Sequence, residues 1–408
     1  MIENICQTTN SITEVAKMAE IQGLPVIIYG AGIIGDQIFE ICVENGIDID
    51  CFCDSSSFID GKKKFGLDIV DLQSIRDQYR DALFLIGSVD IRAAISELDA
   101  LKFRNWFPGG RLLEKEQEYQ TPNQLHMNWK AYQTSICIES HQAYVDGALF
   151  VRSAEVIITE RCSLKCKDCS NLMQYYTDPK HCDVSLILKS LSAFFASVDD
   201  ILEFRILGGE PFLNHEWPRV VQQAIDEPKV RRIVVITNGT IVPIHAGWEC
   251  LKDPKVRLNI SNYGSHSRKY EALIDFAEQN GIRYWVYKAE VWNDCAQVRD
   301  YGRSEAENKE VFRHCWSKNI WTTLSDGKLY RCPYAANVER LEASPHFSDD
   351  HIDLLDMTIS PQDLKVKVKD YLLYKESLKT CGFCSGVVLN RNVEPALQTY
   401  RPLSYQRY

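Results

Sequence analysis

Twice along the chain, short runs of β-branched and aromatic residues alternate with longer stretches whose apolar residues recur at helical spacing. This alternation constrains the fold more than any other feature. In the second half the runs are AEVIIT (154–159), LEFRIL (202–207), RRIVVIT (231–237), VRLNIS (256–261) and IRYWVY (282–287), with helices expected around 184–197, 216–226 and 268–279. Strands separated by helices form parallel sheets with right-handed crossovers, and functional residues collect at the C-terminal strand ends. An earlier series has the same rhythm, with strands at 24–30, 47–54 and 81–88 and helices at 31–45 and 90–103. The breakers FPGG (107–110) and QTPNQ (120–124) place a boundary between the two series. The expected layout is an α/β domain over 1–120, a connector over 121–150, a partial or full βα barrel over 151–311 and a small C-terminal domain over 312–408.

Fifteen cysteines occur among 408 residues of net charge −10. That charge argues against non-specific nucleic-acid binding. The first twenty residues lack the basic flank and apolar run of a secretory signal, and no apolar stretch has the length of a membrane span, so a cytoplasmic location is expected. Disulfides do not persist there, and clustered cysteines then point to metal or catalysis. Cys6, Cys42, Cys51, Cys53, Cys137 and Cys250 show no ligand-like spacing and are expected to be inert buried thiols, as are Cys182 and Cys295.

The stretch TERCSLKCKDCSN (159–171) holds Cys162, Cys166 and Cys169 directly after the first strand of the second series. Three thiolates can hold three irons of a cubic four-iron cluster and leave the fourth iron open. A zinc site would need a fourth ligand, with His181 or Cys182 as candidates. The C-x3-C-x2-C spacing resembles the signature of the radical S-adenosylmethionine (radical SAM) superfamily. LGGEPFLN (207–214) looks like its glycine-glycine-glutamate motif, and TNGT (237–240) and NISNYG (259–264) end the next two strands. The resemblance covers about 151–290. It implies a partial (β/α)6 barrel and a 4Fe-4S cluster with SAM as cofactors. It also implies roles for Gly208, Gly209 and Glu210 at the methionine amino group, for Asn238, and for Ser261 or Asn262 at the ribose. Asp168 stands where the superfamily often has an aromatic residue against the adenine.

Cys315 and Cys332 frame a hairpin expected around Asp326-Gly327, and CGFC adds Cys381 and Cys384. Four thiolates suit either a fully ligated cluster or a zinc site. The C-x11-G-x4-C pattern resembles the start of the SPASM auxiliary-cluster domain. No further cysteine follows, as in its shortened twitch form, so the resemblance implies a second, auxiliary 4Fe-4S cluster acting as an electron sink. A helix over 360–378 is signalled by Ser360, Pro361 and Asp363. Arg299, Tyr301 and Arg303 are candidate catalytic residues, against a reading as surface charges, and His314 is either an outer neighbour of Cys315 or exposed.

Gly30, Gly32 and Gly35 follow a strand and open a helix in G-x-G-x-x-G spacing, with Asp54 ending the next strand. That pattern fits a Rossmann-like dinucleotide site for NAD. The segment 24–104 is also similar to the nucleotide-sugar-binding domain of bacterial sugar acyltransferases, which implies a nucleotide sugar and adds Gly87, Ser88 and Arg92. A sheet with no ligand is the remaining reading. Together these features lead to the expectation of a radical SAM oxidoreductase. It would oxidise an alcohol on a carbohydrate or nucleotide-sugar substrate and be supplied by an electron donor such as flavodoxin or ferredoxin. The alternatives are a SPASM-type peptide maturase, a sugar epimerase or dehydratase, and a zinc protein with a sensing domain.

Overall fold

The computed structural model describes residues 12–54, 61–115, 128–315, 317–386 and 391–408. The described residues fall into two compact units, 12–150 and 151–408. It is a mixed α/β protein rich in parallel strands. No described helix is long and apolar enough to cross a membrane.

The first unit contains, in chain order, α1 (Ile12–Gln22), β1 (Val26–Tyr29), α2 (Ile33–Glu44), β2 (Cys51–Cys53), β3 (Lys63–Lys64), β4 (Leu67–Val70), β5 (Leu83–Ile86), α3 (Ile91–Ala100), β6 (Asn105–Pro108) and α4 (Trp129–Val145). Its sheet has the order β3-β4-β2-β1-β5-β6. All pairings are parallel except the short β3–β4 hairpin. The central strands are apolar throughout because both faces are covered, as parallel sheets require.

In the connector expected over 121–150, residues 129–145 form α4, which packs into the first unit; ahead of it, β6 is the sheet's edge strand. Helix α4 shows no apolar stripe because it is buried on several sides, with Thr134, Ser135, Glu139 and His141 among its buried residues. His141 is fixed as a neutral imidazole. Its Nδ1 accepts from Gly110 N at 2.9 Å and its Nε2 donates to Ser88 O at 2.8 Å. Part of the expected connector, 121–127, lies outside the described residues, as does Cys6.

The second unit begins with β7 (Phe150–Ile157), α5 (Val184–Ser197), β8 (Asp200–Leu207), α6 (Trp217–Asp226), β9 (Val230–Thr237), β10 (Val256–Asn262), α7 (Tyr270–Gln279) and β11 (Tyr284–Lys288). It continues with β12 (Trp292–Asn293), α8 (Glu305–Arg313), α9 (Ser317–Ile320), β13 (Thr322–Ser325), β14 (Lys328–Tyr330), α10 (Pro333–Arg340), β15 (His351–Asp353), α11 (Pro361–Tyr374) and β16 (Asn392–Val393). The main sheet runs β11-β10-β9-β8-β7-β13-β14-β15. The β13–β14 turn has Asp326 at φ +50° and Gly327 at φ +83°, the paired positive values of a tight hairpin. This hairpin was expected to open a separate domain. Instead β13 pairs in parallel with β7, Thr323 opposite Glu155, so the hairpin extends the main sheet. Helix α11 starts at the expected cap, where Ser360 Oγ accepts from Asp363 N at 3.1 Å.

Candidate functional site

The three-cysteine loop leaves the end of β7 and is held by the turn after β8. The ladder between these strands continues past their ends: Ile158 N donates to Leu207 O at 2.9 Å, Gly209 N to Thr159 O at 2.8 Å and Glu210 N to Arg161 O at 2.8 Å. A Cβ on Gly208 would lie 2.3 Å from Thr159 O, and one on Gly209 would lie 2.2 Å from Arg161 O. The approach of one turn to the other therefore requires both glycines.

Glu210 is fully buried and turns away from the cavity. Its carboxylate accepts from Asn238 N at 2.8 Å, from Thr237 Oγ1 at 3.0 Å and from Phe212 N at 3.3 Å. Burial pushes its pKa up to about 7, against the pull of these donors. The carboxylate thus ties the β8 turn to the β9 turn. Asn238, brought there, donates from Nδ2 to Ser163 Oγ at 3.1 Å and Cys162 Sγ at 3.5 Å.

A cavity of about 200 Å³ opens at these strand ends. Cys162, Cys166, Cys169, Gly208, Gly209, Asn238 and Ser261 line it, together with Tyr263 and Trp292. Asn262 does not line it; its Oδ1 accepts from Gly264 N at 2.9 Å. Asp168 is also off the wall, and the aromatic surface missing at that position is offered by Tyr263 and Trp292, whose rings meet edge-on at 5.5 Å.

Residues from the far end of the chain complete the loop. Lys167 N donates to Leu397 O and Thr399 N to Lys165 O, both at 2.7 Å, so residues 397–399 run antiparallel to the loop. Gln398 accepts from Lys165 N at 2.8 Å and donates from Nε2 to Cys166 Sγ at 3.3 Å. Nothing in the local sequence QTYRP signalled this pairing.

The donor set fits an iron–sulfur cluster. Among the described residues no three His, Cys, Asp or Glu groups converge on one metal ion. A cubic cluster takes each thiolate at a different iron, so separated thiols around one cavity suffice. His181, a candidate fourth ligand for zinc, is instead held by Thr159 Oγ1 at 2.9 Å, and neither it nor Cys182 lines the cavity. Burial pushes Cys166 up to about 12 and raises Cys162 and Cys169, so a metal centre would bind these thiols with release of protons.

Cys315, Cys332, Cys381 and Cys384 line a second pocket of about 30 Å³, with Thr380 and Ala335. Gly386 N donates to Cys384 Sγ at 3.4 Å and Ala335 N to Cys332 Sγ at 3.5 Å. Burial pushes Cys381 up to about 12 and raises Cys332 and Cys384. Arg303, taken as a catalytic candidate, belongs here: its Nη1 donates to Cys381 O at 2.8 Å and Cys384 O at 2.7 Å. Arg299 and Arg303 both stack on the Tyr301 ring at 4.4 Å, and Tyr301 N donates to Gly382 O at 2.9 Å. None of the three lines the larger cavity. His314 is exposed and bonds Glu310 Oε1 at 2.7 Å.

In the first unit, Gly30 has φ +107°, and a Cβ on Gly35 would lie 2.0 Å from Gly30 O. Gly32 meets no such obstacle. Asp54 Oδ2 accepts from Ala31 N at 2.8 Å and Lys64 Nζ donates to Ala31 O at 2.5 Å, so both side chains close on the glycine turn. Gly87 packs on Gly35, Ser88 Oγ accepts from Asp90 N at 3.3 Å, and Arg92 stacks on Tyr144 at 4.9 Å. Cys42, Cys51, Cys53 and Cys137 are buried as expected, whereas Cys182, Cys250 and Cys295 are only partly so.

No family profile matches the chain. It is 33% identical over 107 residues to a GTP 3′,8-cyclase of Clostridium acetobutylicum, covering 26% of this chain and 33% of that protein. It is 29% identical over 93 residues to a GTP 3′,8-cyclase of Stenotrophomonas maltophilia, covering 22% of this chain and 28% of that protein. The chain thus spans about a third of the length of these relatives. Among solved structures, BtrN in complex with AdoMet and 2-DOIA is 15% identical at TM-score 0.37, covering 62% of this chain and 98% of BtrN. Streptococcus suis SuiB bound to precursor peptide SuiA is 11% identical at TM-score 0.30, covering 72% of this chain and 81% of SuiB.

Proposed function

We propose that the chain is a radical SAM enzyme that oxidises an alcohol carbon of a carbohydrate. The observation that carries this reading is the convergence of Cys162, Cys166 and Cys169 with the β8, β9 and β10 strand ends on one cavity of about 200 Å³. The three thiols would hold a 4Fe-4S cluster, with SAM beside it against the backbone of Gly208 and Gly209 and the walls formed by Ser261, Tyr263 and Trp292. When bound, this pair would supply radical chemistry able to take a hydrogen atom from an unactivated carbon. The chain's own part is to hold the thiols through Asn238 and Gln398, orient the reacting carbon and exclude water.

Cys315, Cys332, Cys381 and Cys384 would hold a second cluster, the electron acceptor that a two-electron oxidation requires. Arg303 holds the Cys381–Cys384 segment. The glycine turn after β1 is the proposed site for a nucleotide or nucleotide sugar. It lies where the strand order reverses between β1 and β5, the position at which such sheets bind ligands.

Anaerobic reconstitution with iron and sulfide tests the reading. About eight irons per chain and dithionite-dependent formation of 5′-deoxyadenosine from SAM are expected. Stoichiometric zinc without SAM cleavage overturns it. Turnover raised by a peptide, and by no sugar or nucleotide sugar, replaces the carbohydrate with a peptide substrate.

A further inference from the structure

The cavity has a polar floor that no sequence motif announced. Glu203 and Arg205 alternate onto one face of β8, Arg232 stands opposite Glu203 on β9, and Thr323 stands opposite Glu155 across β7 and β13. Arg205 Nη1 lies 3.0 Å from Glu155 Oε2 and its Nε lies 3.8 Å from Glu203 Oε1. Arg232 Nη1 lies 3.7 Å from Glu203 Oε2, and Thr323 Oγ1 donates to Glu155 Oε1 at 3.0 Å. The Arg205 guanidinium also sits 5.1 Å over the Trp321 ring. Glu155, Arg205 and Trp321 all line the cavity below the cysteine loop.

Burying such a network is costly, and an apolar set of equal volume is often as stable or more so. Its position on the cavity wall supplies a reason for it. The two carboxylates and two guanidiniums balance in charge, and the pair that reaches the cavity wall, Glu155 and Arg205, offers acceptors beside N–H donors with no net charge. An anionic group would meet Glu155 beside Arg205, and an apolar group would cut this pair off from water while adding no hydrogen bond in exchange. A hydroxyl uses both, and a flat indole suits the C–H face of a ring.

We propose that Glu155, Arg205 and Trp321 form the substrate subsite and select an uncharged polyhydroxylated ring, free or carried by a nucleotide. This rests on the radical SAM reading of the cavity and narrows its substrate class. The test uses the reconstituted full chain with SAM and measures binding of glucose, myo-inositol, UDP-glucose and glucose 6-phosphate by calorimetry. Binding of at least one uncharged ring is expected, weakened about tenfold or more by Trp321→Ala and by Glu155→Gln. Binding of glucose 6-phosphate alone, of no member of the set, or unchanged binding by the variants overturns the proposal. Circular dichroism and iron content check folding. If Glu155→Gln does not fold, the half-buried Trp321 carries the test. SAM cleavage by the unaltered enzyme without sugar is measured alongside: its absence counts against the radical SAM reading, while cleavage with no sugar effect counts only against the subsite.

Discussion

At Gly209 a single missing Cβ decides whether the cysteine loop can form. A methyl group there would lie 2.2 Å from Arg161 O, where backbone on both sides leaves no flexible neighbour to yield. Gly209→Ala should cost roughly 1–3 kcal/mol and lower the iron retained by the first cysteine set, read by metal analysis after desalting. The glycine-glycine-glutamate run was legible as a motif because its residues are adjacent. Its physical reason was not legible, because Thr159 and Arg161 lie about fifty residues earlier and meet it only through strand pairing. Glu210 shows the same limit: nothing in the motif signals that its side chain is held by Thr237 and Asn238, some thirty residues later.

Among the elements, those with a clear period were readable from sequence and α4 was not, since its burial on several sides removes the contrast on which periodicity depends. Its His141 gives the first unit an acid limit. Burial lowers this imidazole from 6.5 to about 4. The unfolded chain therefore binds the extra proton, so the stabilising contribution is complete above pH 6.5 and is lost as pH falls towards 4. The loss is on the order of 3 kcal/mol. Melting temperature measured between pH 7 and 4 should fall, and less so in a His141→Gln variant. In the segment 397–399, Gln398→Ala removes an N–H from Cys166 Sγ. A donor on a cluster sulfur favours the reduced, more negative state, so its loss should shift the midpoint potential downwards in an EPR-monitored redox titration.

Across the molecule, the two cysteine sets differ in how much sequence could say. Cys162, Cys166 and Cys169 are local and carry their own spacing, whereas Cys315, Cys332, Cys381 and Cys384 come together only through α8, the β13–β14 hairpin and the Arg303 clamp. Each set has its own pocket and its own supporting hydrogen bonds. Cys381→Ala should therefore leave about four irons on the first set, with SAM cleavage retained and net oxidation lost. Iron analysis with product detection by mass spectrometry checks this, and full oxidation by that variant would exclude the electron-sink role.

The antiparallel pairing of Gln398 with Cys166 spans 232 residues. At about 5–20 residues per second, the ribosome delivers that partner on the order of tens of seconds after the cysteine loop. During synthesis the loop is thus open on the side that residues 397–399 later cover. A metal centre at the three thiols would be most accessible to assembly machinery in that interval, and pairing of residues 397–399 with the loop would then cover it.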